Sequence, residues 1–341
     1  MSFAIKNYRI SRIEPISGAD SIETSYIGDW PIVVRKGEYS VNDLVSYFPY
    51  DSILPDSLIE RMGLTGKLSG SKKNRIKPVR LRGQSSIGLI CKAPIDSIEG
   101  EDLTSFYGVT KYEEVIPVQF AGQMRQHPPF WTKYDIDNIR GNKGMFSSSD
   151  LVVITEKIHG TCSDYSVEKT IDGYNFFVSS KNVTLQPSES NIYWNIARKY
   201  NFEQLLVQLA EFYNIKVGDV LSLKGEIYGV GVQDLTYGAR TPQFAAFDIK
   251  HNSDYFSYPT FKYYCIYINI PTVPVLYEGS FNEEILKSCT NGKEQVSGKE
   301  LHIREGCVVK TFIEQRVGVD RKVLKSVSDD YLFRKGGTEF N

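Results

Sequence analysis

Cysteine is sparse and unpatterned in this sequence. Cys91, Cys162, Cys265, Cys289 and Cys307 are odd in number, scattered, and form no CxxC pair. That excludes a disulfide framework and a cysteine-based zinc site. No apolar run reaches the length of a membrane span, and no signal-peptide pattern is found. A soluble, reducing, cytoplasmic setting with no membrane partner is therefore expected. Charge of one sign is also lacking: 40 Lys and Arg face 41 Asp and Glu, a formal net charge of -1. No global field draws a polyanion to the chain, so any such attraction has to be local.

What is present is enough apolar material for a sizeable core. Of 341 residues, 41% are hydrophobic and 13% aromatic, and the 22 Tyr and 18 Phe favour strands. The length suggests two domains. Residues 1–112 read as short strands separated by turns: Trp30 to Arg35 running into Lys36-Gly37, Asp43 to Phe48, and Ile87 to Cys91. Short strands at this spacing suggest a small barrel. Between Arg61 and Lys92 the basic residues are Arg61, Lys67, Lys72, Lys73, Arg75, Lys77, Arg80, Arg82 and Lys92, with no Asp or Glu among them. The local field stays positive and suits phosphate contact, which makes Lys72, Lys73, Arg75, Lys77, Arg80 and Arg82 the nucleic-acid candidates. The segment carries no aromatic residue, so it would position a nucleic acid rather than stack on its bases.

The join falls near residues 108–118, and the second domain is expected over 119–341. Tyr134 to Arg140 has a short helix-like pattern. The clearest helical pattern covers 190–215, with Ile196, Leu205, Leu206, Leu209 and Phe212 on its apolar face and a break near Asn201. Leu151 to Ile154 reads as a buried strand, followed by Thr155-Glu156-Lys157-Ile158-His159-Gly160-Thr161. A lysine just past a strand is a potential covalent nucleophile, provided its surroundings remove its proton. Gly160 would let backbone approach a ligand closely. Three acids then stand beside apolar strands: Glu226 in Leu221 to Gly229, Asp248 in Gln243 to Ile249, and Glu305 just before Gly306 to Lys310. Burying such acids is costly without partners, and lysines or metal ions are the natural ones.

In that order these residues resemble the covalent nucleotidyltransferase superfamily of polynucleotide ligases and capping enzymes. Lys157-Ile158-His159-Gly160 is similar to its first motif and Phe247-Asp248 to its third. Glu305 to Lys310 is similar to the fourth, Lys325 to the fifth, and Gly225 to Gly229 to the carboxylate strand before the third. Within the superfamily, Ser179 to Asn182, Pro271 to Pro274 and Lys325 to Leu332 resemble RNA ligases. The amino-terminal barrel resembles the OB-type module of the family that seals nicked RNA. DNA ligases and capping enzymes carry that module after the fifth motif, where this sequence has only Ser326 to Asn341. Two departures stand out. Lys181 replaces the usual Arg, which costs a bidentate grip on phosphate, and Val323 precedes Leu324-Lys325 where Lys-x-Lys is common, leaving Lys322 as the second charge.

The resemblance implies an α+β chain: an OB-like barrel, then an adenylyltransferase domain of antiparallel sheets with flanking helices. It implies an ATP-dependent RNA ligase, acting as a monomer on 3′-OH and 5′-phosphate ends at nicks in duplexes. Lys157 would form lysyl-AMP, and Glu226, Glu305 and Lys325 would join it in catalysis. Glu156, Gly160, Lys181, Glu226, Phe247, Lys310, Lys322 and Lys325 would bind the nucleotide, with Phe247 stacking on adenine. Mg²⁺ or Mn²⁺ would be held by Glu226, Asp248 and Glu305. The competing enzyme readings are a DNA-specific ligase or a guanylyltransferase. The competing non-enzyme reading is an RNA-binding OB adaptor with a degenerate ligase-like domain.

Overall fold

A computed structural model of the chain describes residues 3–112, 122–318 and 320–334. The architecture is α+β, and the chain divides into two compact units. One comprises Met1–Glu113 with Asp137–Lys143, the other Glu114–Ile136 with Gly144–Asn341.

The first unit is built of short antiparallel strands. β1 (Lys6–Arg9), β5 (Leu44–Phe48) and β9 (Leu89–Lys92) form one sheet, with β5 in the middle. β2 (Arg12–Pro15), β3 (Ile22–Ile27) and β4 (Trp30–Arg35) form a second. β6 (Ser52–Ile53) pairs with β10 (Thr110–Lys111), and β7 (Val79–Leu81) with β8 (Gln84–Ser86). The β7–β8 hairpin turns on Arg82 and Gly83, whose φ angles of 51° and 80° suit a tight two-residue connection. Ile5, Phe48, Leu54, Ile76, Leu103 and Val109, with Leu58 and Ile59 of α1 (Asp56–Arg61) and Tyr107 of α2 (Thr104–Tyr107), make its core.

The second unit contains two sheets. The larger runs β11 (Met124–Arg125), β15 (Thr184–Leu185), β14 (Gly173–Ser180), β13 (Thr161–Thr170), β16 (Val220–Tyr228), β17 (Gln243–His251) and β18 (Asp254–Tyr255). The smaller runs β19 (Val275–Ser280), β12 (Leu151–Lys157), β20 (Gly306–Thr311) and β23 (Val323–Val327). A short hairpin, β21 (Arg316–Val317) and β22 (Asp320–Arg321), precedes β23. One face of the larger sheet is apolar. Tyr165, Val167, Val178, Leu221, Leu223, Phe244 and Ile249 bury there against α3 (Ile192–Lys199) and α4 (Phe202–Phe212). Asn191 caps α3 by accepting the Tyr193 and Trp194 N–H groups. Asn201, at φ 53°, breaks the chain between α3 and α4. α5 (Tyr258–Tyr267) packs at the edge of this core through Phe261 and Cys265.

The opposite face of the larger sheet is polar. Strand pairing puts Cys162 opposite Glu226, Asp164 opposite Lys224 and Ser166 opposite Ser222, then Lys224 opposite Asp248 and Ser222 opposite Lys250. A bulge at Phe247 interrupts β17. In the smaller sheet, register places Lys157, Thr155, Val308, Lys310, Val323 and Lys325 on one face. The other face, with Ile154, Glu156, Val309 and Ser326, lies under α6 (Glu283–Thr290), where Thr290 hydrogen-bonds Ser326.

The strand readings of the sequence and the helix break at Asn201 match these elements. Tyr134 to Arg140 does not: residues 131–137 lack regular structure, and only Ile139–Gly141 forms a 3-10 turn. Tertiary contacts of Thr132, Tyr134 and Asp135 override the weak local pattern. Residues 113–118 of the expected join, and 119–121 at the start of the expected second domain, lie outside the described residues. All five cysteines are free thiols. Among the described residues no helix is long and apolar enough to cross a membrane.

Candidate active site

The site forms around the end of β12. Lys157 closes that strand, and its Nζ lies 2.7 Å from Glu305 Oε1; the lysine side chain keeps 28% of its exposure and the glutamate 8%. Burial disfavours the ammonium, but Glu305 and Glu226 outweigh it and raise the Lys157 pKa. Glu226 bears the opposite strain. Burial, with Glu305 close by, pushes its carboxyl up to about 8, although Lys157 and Lys181 pull the other way. Glu305 Oε2 is buried without a hydrogen-bond partner. Two carboxylates thus compete for one lysine, and an acceptor oxygen is left over. That imbalance suits one further cation, and Glu226 and Glu305 fit a divalent metal.

Gly160 makes this closeness possible. A Cβ there would run into the Ile227 carbonyl oxygen and approach Glu226 Cγ to 2.9 Å. Strand β16 thus approaches closely here, a contact the sequence did not show. His159 is buried beside it. Its backbone N–H donates to Tyr237 Oη at 2.6 Å, Nε2 lies 2.8 Å from Asp234 Oδ1, and Nδ1 lies 2.8 Å from Tyr331 Oη. The same Nε2 lies 3.2 Å from Arg334 Nη2, which only donates, whereas the Asp234 carboxylate only accepts. Burial lowers the His159 pKa and favours the neutral ring.

Asp248 sits in a different cluster. It accepts from Lys310 Nζ at 2.8 Å, Arg321 Nη1 at 2.8 Å and Tyr134 Oη at 2.6 Å. Burial opposes its charge, but Arg321 and Lys310 outweigh burial and hold the carboxyl well below the usual range. Among the described residues no three acid, imidazole or thiol side chains are grouped to hold a metal. The expected metal set of Glu226, Asp248 and Glu305 is corrected accordingly: the first two flank different cations, and Asp248 is already neutralised.

Other expected residues divide in the same way. Phe247 is half-buried beside Ile158, Ala245 and Val273, with the Tyr134 ring 5.0 Å away. Lys181 lies 3.5 Å from Asp135 and close enough to Glu226 to lower its pKa. Register puts Lys325 on the Lys157 face. Glu156 points to the opposite face, where Oε2 accepts the Gln295 N–H at 2.7 Å and Arg304 Nε lies 3.8 Å off. Strand alternation thus separates it from the Lys157 cleft. Lys322 is tied to Asp150 at 2.6 Å, at the far end of β12 from Lys157, so it does not supply a second charge beside Lys325. Arg321, two residues before Val323, occupies the cleft instead. In the first unit Lys72, Lys73, Lys77, Arg80 and Arg82 are exposed, but Arg75 is not. Arg75 pairs with Asp51 at 2.6 Å under the Tyr112 ring, so it fastens the loop rather than offering a free charge.

Sequence reasoning passed over Arg321, Lys224, Lys250 and Tyr134. Lys224 is almost fully buried and paired with Asp164. The spacing Lys224-x-Glu226 and Asp248-x-Lys250 was the available signal, because alternate strand residues share a face.

The RNA ligase family model matches residues 150–327, and an OB-fold domain model matches residues 4–93. The chain belongs to the RNA ligase family. Among solved structures, this ligase-family chain is similar to Naegleria gruberi RNA ligase. A single-substitution variant of that protein with ATP and Mn has TM-score 0.82 and 23% identity, covering 96% of this chain and 98% of that one. Its complex with pyrophosphate has TM-score 0.81 and 24% identity, covering 97% and 98%. Another variant, with AMP and Mn, has TM-score 0.79 and 24% identity, covering 96% and 98%. At this identity the likeness establishes the shared fold, an OB-fold unit followed by a sheet-rich ligase unit. Comparison with curated proteins finds no match.

Proposed function

We propose that the protein is an ATP-dependent RNA ligase that joins 3′-OH and 5′-phosphate RNA ends at nicks in duplexes. The observation that carries this reading is Lys157 at the end of β12, set against Glu305 and close to Glu226. The solved Naegleria RNA ligase complexes with ATP, AMP and pyrophosphate support the choice of nucleotide. Lys157, once deprotonated, attacks the α-phosphate of ATP; the nitrogen–phosphorus bond forms as pyrophosphate leaves. The RNA 5′-phosphate then takes AMP from the lysine. Finally the 3′-OH attacks that activated phosphate, and AMP departs. These are phosphoryl transfers, in which positioning and charge neutralisation do most of the work.

Lys157 is the nucleophile. Glu226 and Glu305 would hold Mg²⁺ or Mn²⁺, which supplies positive charge against the phosphate oxygens and disfavours the ammonium form of Lys157. Phe247 gives an aromatic face for adenine. Lys325 holds phosphate; Lys310 contributes field while bound to Asp248. Lys181 takes the RNA 5′-phosphate. Lys72, Lys73, Lys77, Arg80 and Arg82 contact RNA backbone. The protein acts as a monomer in a reducing, cytoplasmic setting, in keeping with its free thiols.

The test is sealing of a labelled 5′-phosphate RNA, either at a nick opposite a complementary strand or free in solution. The nicked substrate should give full-length product faster, through a transient adenylated strand. Equal rates on both would remove the nick preference. Sealing of DNA nicks alone would turn the assignment to a DNA ligase.

A further inference from the structure

The segment from His127 to Asp135 runs along the polar face of the larger sheet. His127 bridges Thr184 and the Asn182 carbonyl and stacks on Trp131, and Phe130 meets Phe177 edge-on. These contacts anchor its first half. The second half rests on charged groups. Lys250 Nζ donates to Thr132 Oγ1 at 3.0 Å, Tyr134 donates to Asp248, and Asp135 lies 3.5 Å from Lys181.

Lys250 is the anomaly. It is 94% buried, from a relative exposure of 6%, yet among the described residues its ammonium hydrogen-bonds only a hydroxyl, with Asp164 near enough to favour its charge. The acids nearby are taken: Asp164 by Lys224, and Asp248 by Lys310 and Arg321. A buried ammonium whose nearest acid is already paired with another lysine is costly, and an anion would relieve it. Lys181 has the complementary weakness. Its pair with Asp135 is long and partly exposed, 25% and 41% for the two side chains, so it is worth little.

We propose that Lys250 joins Lys181 as a second phosphate receptor for the 5′-phosphate RNA strand, and that Asp135 and Thr132 are internal stand-ins which that strand displaces. This rests on the RNA ligase reading above. A terminal 5′-phosphate carries about -1.5 to -2 charges and outcompetes a single carboxylate at Lys181. A 5′-OH end brings no charge and leaves Asp135 in place, so the exchange also selects for phosphorylated ends. Lys250 receives a backbone phosphate of the same strand, where Thr132 now offers only a neutral oxygen.

The test uses the full-length protein and separates two steps: lysyl-AMP formation from ATP alone, and AMP transfer to a nicked 5′-phosphate RNA at several RNA and salt concentrations. Asp135→Asn should lower the KM for RNA about two- to fivefold and leave lysyl-AMP formation unchanged. In a Lys181→Ala background the same substitution should have no effect. Lys250→Met should raise the KM and reduce the salt dependence of RNA binding by about one unit of log–log slope. A KM unchanged or raised by Asp135→Asn with Lys181 intact would overturn the displacement. Equal damage to both steps by Lys250→Met would overturn a phosphate role for Lys250. Normal transfer by Lys181→Ala would overturn the 5′-phosphate role of Lys181, whereas absence of lysyl-AMP in the native protein would overturn the ligase reading itself.

Discussion

Glu156 and Lys157 are chain neighbours with opposite surroundings. Alternation along β12 sends Lys157 into the cleft and Glu156 beneath α6. There burial raises the Glu156 carboxyl from 4.5 to about 7, against the pull of the Gln295 amide and Arg304. The folded state therefore keeps a proton that the unfolded chain releases. Stability from this site is fully present below about pH 4.5 and is lost as pH rises toward 7. At about 1.4 kcal/mol per unit, the loss is on the order of 3 kcal/mol. Glu156→Gln keeps an acceptor for the Gln295 N–H and cannot ionise. Its urea midpoint should gain on the native protein between pH 5 and pH 8; parallel curves would show that Glu156 does not titrate there. The family resemblance implied a nucleotide contact for Glu156. Adjacency along a strand is the reason it lies on the other face.

At the level of elements, the β12–β13 connection is fixed by space. Gly160 has no side chain because β16 passes where a Cβ would stand, bringing Glu226 alongside Lys157. Gly160→Ala should shift this turn and slow lysyl-AMP formation on the order of a hundredfold, the scale of a misplacement near 1 Å. A single-turnover assay with ATP measures it, and an unchanged rate would show that the turn absorbs the methyl group. The strands and the helix break were legible because apolar runs and Asn201 are local signals. The segment from Thr132 to Asp135 was not. Its conformation follows from Lys250, Asp248 and Lys181, which lie far along the chain. Arg321 was obscured for a related reason: Arg321 to Lys325 reads as a basic-apolar alternation, and it is the pairing of Arg321 with Asp248, far along the chain, that brings it into the cleft.

For the molecule as a whole, the proposed site lies where the polar faces of two sheets of the second unit meet. One contributes Glu226, Asp248 and Lys250; the other contributes Lys157, Lys310 and Lys325. The order of motifs along the sequence made the family legible, since each motif is a short strand with a charge at a fixed place. Which charge pairs with which was not legible. Glu305 was expected to share a metal with Asp248, but the fold gives Glu305 to Lys157 and Asp248 to Arg321 and Lys310. In the first unit, the basic run was visible as composition, whereas the burial of Arg75 against Asp51 was a tertiary fact.

The central claim is that Lys157 carries the nucleotide, and labelling tests it most directly. The native protein and Lys157→Ala are incubated with a divalent metal and ATP or GTP labelled at the α-phosphate, then separated under denaturing conditions and mapped by mass spectrometry. The account predicts a label from ATP on the Lys157 peptide of the native protein, transferable to nicked RNA, and none on the variant. Label retained by Lys157→Ala, or acquired from GTP alone, would contradict it.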